Sequence, residues 1–168
     1  MNRRTVRRTL VAVPLSIALS LPLAACGSSE TAGSAVAAEV SADLGVQPEL
    51  PPTDESAPEE LVTDDVVVGD GAEAVEGTTV AVKYVGAFYE TGEEFDSSWS
   101  RGEDEVLTVT LGAGQVIPGF DQGVTGMQVG GRRVVTIPSD LGYGPTGQGP
   151  IPGDATLVFV IDLVEVSA

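Results

Sequence analysis

Thr79-Val80-Ala81-Val82-Lys83-Tyr84-Val85 and the longer run Thr156 to Val166 decide the fold. Both alternate with a period of two, which places Val80, Val82 and Tyr84 on one face of a strand. Leu157, Phe159, Ile161 and Leu163 share a face of the second, with Asp162 on the other. Working outward, Leu61 to Val68 is a third β-type run, closed by the turn signal Gly69-Asp70-Gly71. Glu90-Thr91-Gly92-Glu93 reads as a hairpin turn into Phe95-Asp96-Ser97-Ser98. Val106 to Leu111 alternates again, and Arg132 to Ile137 is a strand stopped by Pro138. Short runs punctuated by glycine point to a small antiparallel sheet rather than to βαβ units. One helix interrupts them: Pro118 suits a first helical position, and Phe120, Val124 and Met127 form an apolar stripe. A helix ending near Val124 is too short to stand alone and must pack in the concave face of the sheet. The expected class is α+β, a half-wrapped antiparallel sheet around one short helix.

Composition removes several chemistries. The chain has 168 residues, 25 acidic and 8 basic side chains, one cysteine and no histidine. Zinc sets, Ser-His-Asp triads, Cys-His dyads and disulfide frameworks all need residues it lacks. A formal charge of −17 repels phosphate backbones, so no nucleic acid is expected as partner. The basic residues begin with Arg3, Arg4, Arg7 and Arg8, followed by apolar Leu10 to Leu23, the pattern of a secretory signal over residues 1–25. It ends in Leu23-Ala24-Ala25-Cys26, which resembles the bacterial lipobox. That resemblance implies acylation of Cys26, a lipid bilayer as partner and a place at the extracytoplasmic face of the cell membrane. Residues 26–60, rich in Gly, Ser, Ala, Pro and acid, read as a solvated tether, with an extra extended segment over 40–50 where Val40, Leu44, Val46 and Leu50 are apolar. The compact domain is expected over 61–168.

Two chemical readings fail on local grounds. Gly112-Ala113-Gly114 before a helix suggests a dinucleotide turn, but the spacing to Gly119 and the strand pattern do not fit. Glu93, Glu94 and Glu103 to Glu105 offer carboxylates for glycoside hydrolysis, yet a solvated loop face on an acidic protein accounts for them far better. Asp96 differs because Phe95 and Trp99 flank it, so an aromatic wall can surround its carboxylate.

Several runs, in this order along the chain, resemble the FKBP-type peptidyl-prolyl isomerases. They are Val82-Lys83-Tyr84-Val85-Gly86, Gly92 to Ser98, Leu111-Gly112, Val116-Ile117-Pro118-Gly119-Phe120, Gly123-Val124, Met127, Val129-Gly130, Ile137-Pro138, Tyr143-Gly144, Ile151-Pro152 and Ala155 to Phe159. The resemblance covers about Leu61 to Val166 and implies a five- or six-stranded antiparallel half-barrel around the helix. It implies Tyr84, Asp96, Ile117 and Tyr143 as catalytic groups, with Phe95, Leu107, Val116, Phe120, Ile151 and Phe159 lining a proline pocket. No metal or cofactor is implied. Proline-containing unfolded or exported polypeptides are the implied partners, with macrolide immunosuppressants as further ligands and a monomeric state. Phe120 stands where the family often has tryptophan, Leu107 replaces an aromatic wall residue, and Gln148 to Ile151 is one residue shorter than in small eukaryotic members. From the residues alone, Val116, Leu107 and Phe159 would serve as ordinary core. A slow proline-binding module on the same fold is the alternative to an enzyme.

Overall fold

A computed structural model describes residues 32–167. Six strands follow in chain order: β1 (Val62–Val67), β2 (Thr79–Phe88), β3 (Glu94–Ser97), β4 (Leu107–Thr110), β5 (Arg132–Ile137) and β6 (Leu157–Ser167). Two α-helices accompany them, α1 (Ala32–Glu39) and α2 (Pro118–Val124). The strands form one sheet, in the order β1-β5-β6-β2-β3, with β4 also paired to β2. Every pairing is antiparallel. β2 is thus central, holding β6 along one edge while β4 pairs with Thr79–Val82 and β3 with Val85–Ala87 on the other. This is the α+β architecture expected from strand periodicity.

The alternation seen in sequence sorts side chains onto two faces. Val80, Val82, Tyr84, Val135, Ile137, Leu157, Phe159, Ile161 and Leu163 lie on the inner face with Phe120, Val124 and Met127. Helix α2 sits close to β5 because its neighbours there are glycines. A Cβ on Gly119 would come 2.3 Å from Ile137 Cγ2, and one on Gly123 2.5 Å from Val135 Cγ1. Spacing four apart puts both glycines on the face turned to the sheet.

The outer face carries Val85, Ala87, Tyr89, Val134, Val158 and Val160, and it is covered by Val36, Val40 and Leu50. Within the span read from composition as a tether, residues 36–50 therefore pack on the sheet. The reason lies in sparse anchors rather than in a sustained period. Val36 and Val40 are four apart, one turn of an alanine-rich helix that ends between them. Leu50 then follows an extended stretch.

Polar pairing holds this segment as well. Arg132 and Asp162 are directly opposite on β5 and β6, and their side chains pair at 2.6 and 2.7 Å with the guanidinium fully buried. The remaining guanidinium hydrogens donate to the carbonyls of Ser41, Asp43 and Val46 at 2.7, 3.1 and 3.2 Å. All five donors of the fork are used, which is what allows this charge to be buried. Further along, Thr53 N–H donates to the Glu90 carbonyl at 3.2 Å, and Gln47 Nε2 donates to Glu94 at 3.0 Å. The segment thus crosses the outer face and ends on the β2–β3 turn.

Candidate active site

Tyr84 on β2, Phe95 on β3, Phe120 on α2 and Phe159 on β6 bring four rings together on the inner face. Phe159 is the hub, its ring centre 5.4 Å from Phe120, 5.7 Å from Phe95 and 6.2 Å from Tyr84. Tyr84 and Phe120 meet edge to face at 6.0 Å. Such contacts contribute roughly 0.5–1.5 kcal/mol per pair beyond area burial, so the rings hold one another in place. Gly86 makes this possible, since a Cβ there would lie 2.7 Å from Phe159 and 2.9 Å from Phe95. The backbone of β2 is the floor on which two of the rings rest.

Next to this cluster, with Phe95 as the shared ring, is a hollow of about 250 Å³ lined by Phe95, Asp96, Tyr143, Gln148, Gly149, Pro150 and Ile151. Asp96 enters it from β3 and is about half exposed. Its Oδ2 accepts from the Tyr84 hydroxyl at 2.5 Å, and Oδ1 accepts from Arg101 Nη1 at 2.8 Å and from Ser97 N–H at 2.9 Å. Arg101 Nη2 donates in turn to the Tyr84 hydroxyl at 2.9 Å. Three side chains thus form a closed triangle in which the carboxylate direction is set by two donors. Ser98, fully buried, fixes the backbone below, accepting from Tyr84 N–H at 3.0 Å while its own N–H donates to the Tyr84 carbonyl at 3.0 Å.

Burial raises the pKa of the Tyr84 hydroxyl first, with the Asp96 hydrogen bond adding to it and Arg101 opposing. Tyr143 is raised too, by burial and then by the charge of Asp96. Both hydroxyls therefore remain protonated donors at neutral pH. No described residue accepts a hydrogen bond from the Tyr143 hydroxyl or from the Ile117 N–H. Ile117 is the residue that caps α2 in extended conformation, its carbonyl accepting from Phe120 and Asp121.

Of the residues singled out in sequence, Tyr84, Phe95, Asp96, Phe120, Tyr143, Ile151 and Phe159 are gathered around the rings or the hollow, with Ile117 packed against the same core. Leu107 packs on this core from β4, opposite Val82, and does not line the hollow. Val116 also touches the core but lines a separate groove with Glu76, Pro118 and Asp121. Cys26 lies outside the described residues. Trp99, which flanks Asp96 in sequence, does not join an aromatic wall around its carboxylate but packs on the outer cluster with Lys83 Nζ 4.4 Å from its ring centre. The partner that sequence reasoning missed is Arg101. Its signal was slight: one of four basic residues beyond Arg8, five positions after Asp96.

Comparison with known proteins agrees with this geometry. Residues 71–164 match the family model described as FKBP-type peptidyl-prolyl cis-trans isomerase. The chain is 54% identical over 112 residues to the FK506-binding protein of Streptomyces anulatus, covering 65% of this chain and 88% of that protein. It is 49% identical over 107 residues to one from Neisseria meningitidis serogroup A, covering 63% and 95%. Among solved structures, it resembles FkpA from Escherichia coli with a TM-score of 0.58 and 37% identity, covering 64% of this chain and 48% of that one. It resembles AtFKBP13 with a TM-score of 0.59 and 38% identity, covering 66% and 96%. The family match spans more than half of the chain, the relatives share about half of their residues over it, and the solved structures share the fold of the sheet centred on β2, so the chain belongs to the FKBP-type peptidyl-prolyl cis-trans isomerases.

Proposed function

We propose that this isomerase acts on X-Pro bonds of exported polypeptides, holding the prolyl ring against Tyr84, Phe95, Phe120 and Phe159. The carrying observation is the pair of donors with no described acceptor, the Tyr143 hydroxyl and the Ile117 N–H, on two residues packed against the core that holds the aromatic rings. Rotation about the amide breaks no covalent bond but faces a barrier of about 18–20 kcal/mol from lost resonance. The planar amide is more polar than the twisted one, so expelling water from the hollow favours the twisted form. Catalysis is then preferential binding of that form. In this reading Ile117 N–H and Tyr143 donate to substrate carbonyls, and Asp96 stands beside the rotating amide while bracing Tyr84. Arg101 acts through Asp96 and Tyr84 and is a positioning residue. The hollow is also the place where a macrolide such as FK506, named in the relatives, would bind.

The same proposal assigns residues 1–25 to export and Cys26 to acylation, with a monomeric enzyme on the outer face of the membrane. Only residues 27–31 then separate the anchor from α1, a reach of about 20 Å at most. The packed segment 36–50 keeps the enzyme close to the bilayer instead of at the end of a long tether.

A proline-limited refolding assay tests the activity: micromolar protein should accelerate the slow phase, and no rate gain would favour the slow binding module. Cys26→Ala should release the protein from membranes. Persistent membrane association would refute lipidation at that residue.

A further inference from the structure

A second groove, of about 640 Å³, runs beside the hollow between the β2–β3 turn and the loop before β6. Phe88, Pro150 and Ala57 supply its apolar walls, and Glu90, Glu93 and Asp154 its acids. It is continuous with the site already described. Pro150 lines both spaces, and the Phe88 ring packs on Phe95 at 5.3 Å, so a chain leaving the rings over Phe95 meets Phe88 next. Ala57 lies outside the 71–164 match, so the N-terminal segment contributes a wall that the family domain does not reach.

The loop wall is built rather than loose. Asp154 adopts φ +61°, and its N–H donates to the Gly144 carbonyl at 3.1 Å. Tyr89 N–H donates to the Thr156 carbonyl at 3.1 Å, tying β2 to the loop. No cation among the described residues lines the groove beside its acids. Among the described residues Arg101, Arg132 and Arg133 are paired with Asp96, Asp162 and Asp65, and Lys83 sits on Trp99 and donates to the Glu103 carbonyl.

We propose that this groove is a second substrate subsite, which takes a lysine or arginine flanking the isomerising proline. The inference rests on the reading of the hollow as the proline pocket. An apolar wall with acids on its rim fits such a side chain, whose methylene stem lies along Phe88 and Pro150 while its charge stays hydrated among Glu90, Glu93 and Asp154.

The test compares kcat/KM at low salt for peptides identical except for Lys, Ala or Glu at one flanking position, placed on either side of the proline. The Lys peptide should exceed the Glu peptide by about tenfold on one side, since several exposed pairs of modest strength act together. Salt should compress that ratio. The triple variant Glu90→Gln/Glu93→Gln/Asp154→Asn should reduce the ratio about threefold or more while leaving the Ala peptide unchanged; asparagine tolerates the positive φ at 154. A control, Asp70→Asn/Glu73→Gln/Glu165→Gln, removes equal charge elsewhere and should change the ratio less than about twofold. Equal effects of the two triples would mean that overall charge, not the groove, selects substrate, and would overturn the proposal. Turnover of all three peptides at one rate would overturn the subsite alone. Failure to turn over even the Ala peptide would overturn the pocket reading, and the subsite with it.

Discussion

Replacing Arg132 with methionine keeps an unbranched stem and deletes all five guanidinium donors. Asp162, 5% exposed, would be left with a buried charge and no partner, and the carbonyls of Ser41, Asp43 and Val46 would lose theirs. Removing one member of a buried ion pair costs about 3–5 kcal/mol, a large share of the roughly 5–15 kcal/mol that holds a domain. The two losses separate in a double variant. Adding Asp162→Leu removes the orphaned charge and should recover most of the cost, leaving the loss of grip on residues 41–46. Urea unfolding followed through the single tryptophan, Trp99, reports on the outer face where that residue packs. Amide exchange resolves the segment itself: protection over 36–50 should fall in both variants more than in β6. A cost for Arg132→Met below about 1 kcal/mol, the size of an exposed pair, would refute the reasoning, as would unchanged exchange over 36–50.

Other predictions follow from single contacts. Gly123→Ala would press a Cβ to 2.5 Å from Val135 Cγ1 and should cost about 1–3 kcal/mol in a denaturation midpoint; Val135→Ala in the same chain should restore part of it. Tyr143→Phe should lower kcat/KM about tenfold, the effect of one hydrogen bond near 1.4 kcal/mol, with the melting temperature unchanged because that hydroxyl has no described partner. Tyr84→Phe should lower both, since it breaks the bonds to Asp96 and from Arg101. Burial raises all three tyrosines above 10.0, so the folded state favours their neutral form. Their contribution to stability is complete below pH 10 and is lost as pH rises from there through the raised values. The tyrosinate absorbance of the folded protein should titrate with every midpoint above pH 10, and a midpoint below it would contradict the burial argument.

Alternation and turn chemistry placed all six strands and the helix from Pro118 to Val124, because each of these signals is local: a period of two, a proline, a glycine. The ring residues were legible for a related reason. All eight aromatics fall between Tyr84 and Phe159, and alternation put Tyr84 and Phe159 on faces that pairing then made common. Other contacts carry no local mark. Arg101 became part of the site only when a short turn folded it back onto Tyr84, 17 positions away. Arg132 and Asp162 looked like ordinary outward positions of two strands until antiparallel pairing set them opposite each other and a segment about 90 residues distant in sequence supplied the remaining acceptors. That segment is the clearest division between the two kinds of knowledge. The sequence marks an extra extended segment over 40–50 but reads 36–39 as tether and names no face for either to cover, and in isolation these residues are too sparse in apolar side chains to bury their own surface. What orders them is a face of the sheet, assembled from β2, β5 and β6, that offers valines to Val36, Val40 and Leu50 and one guanidinium to three carbonyls.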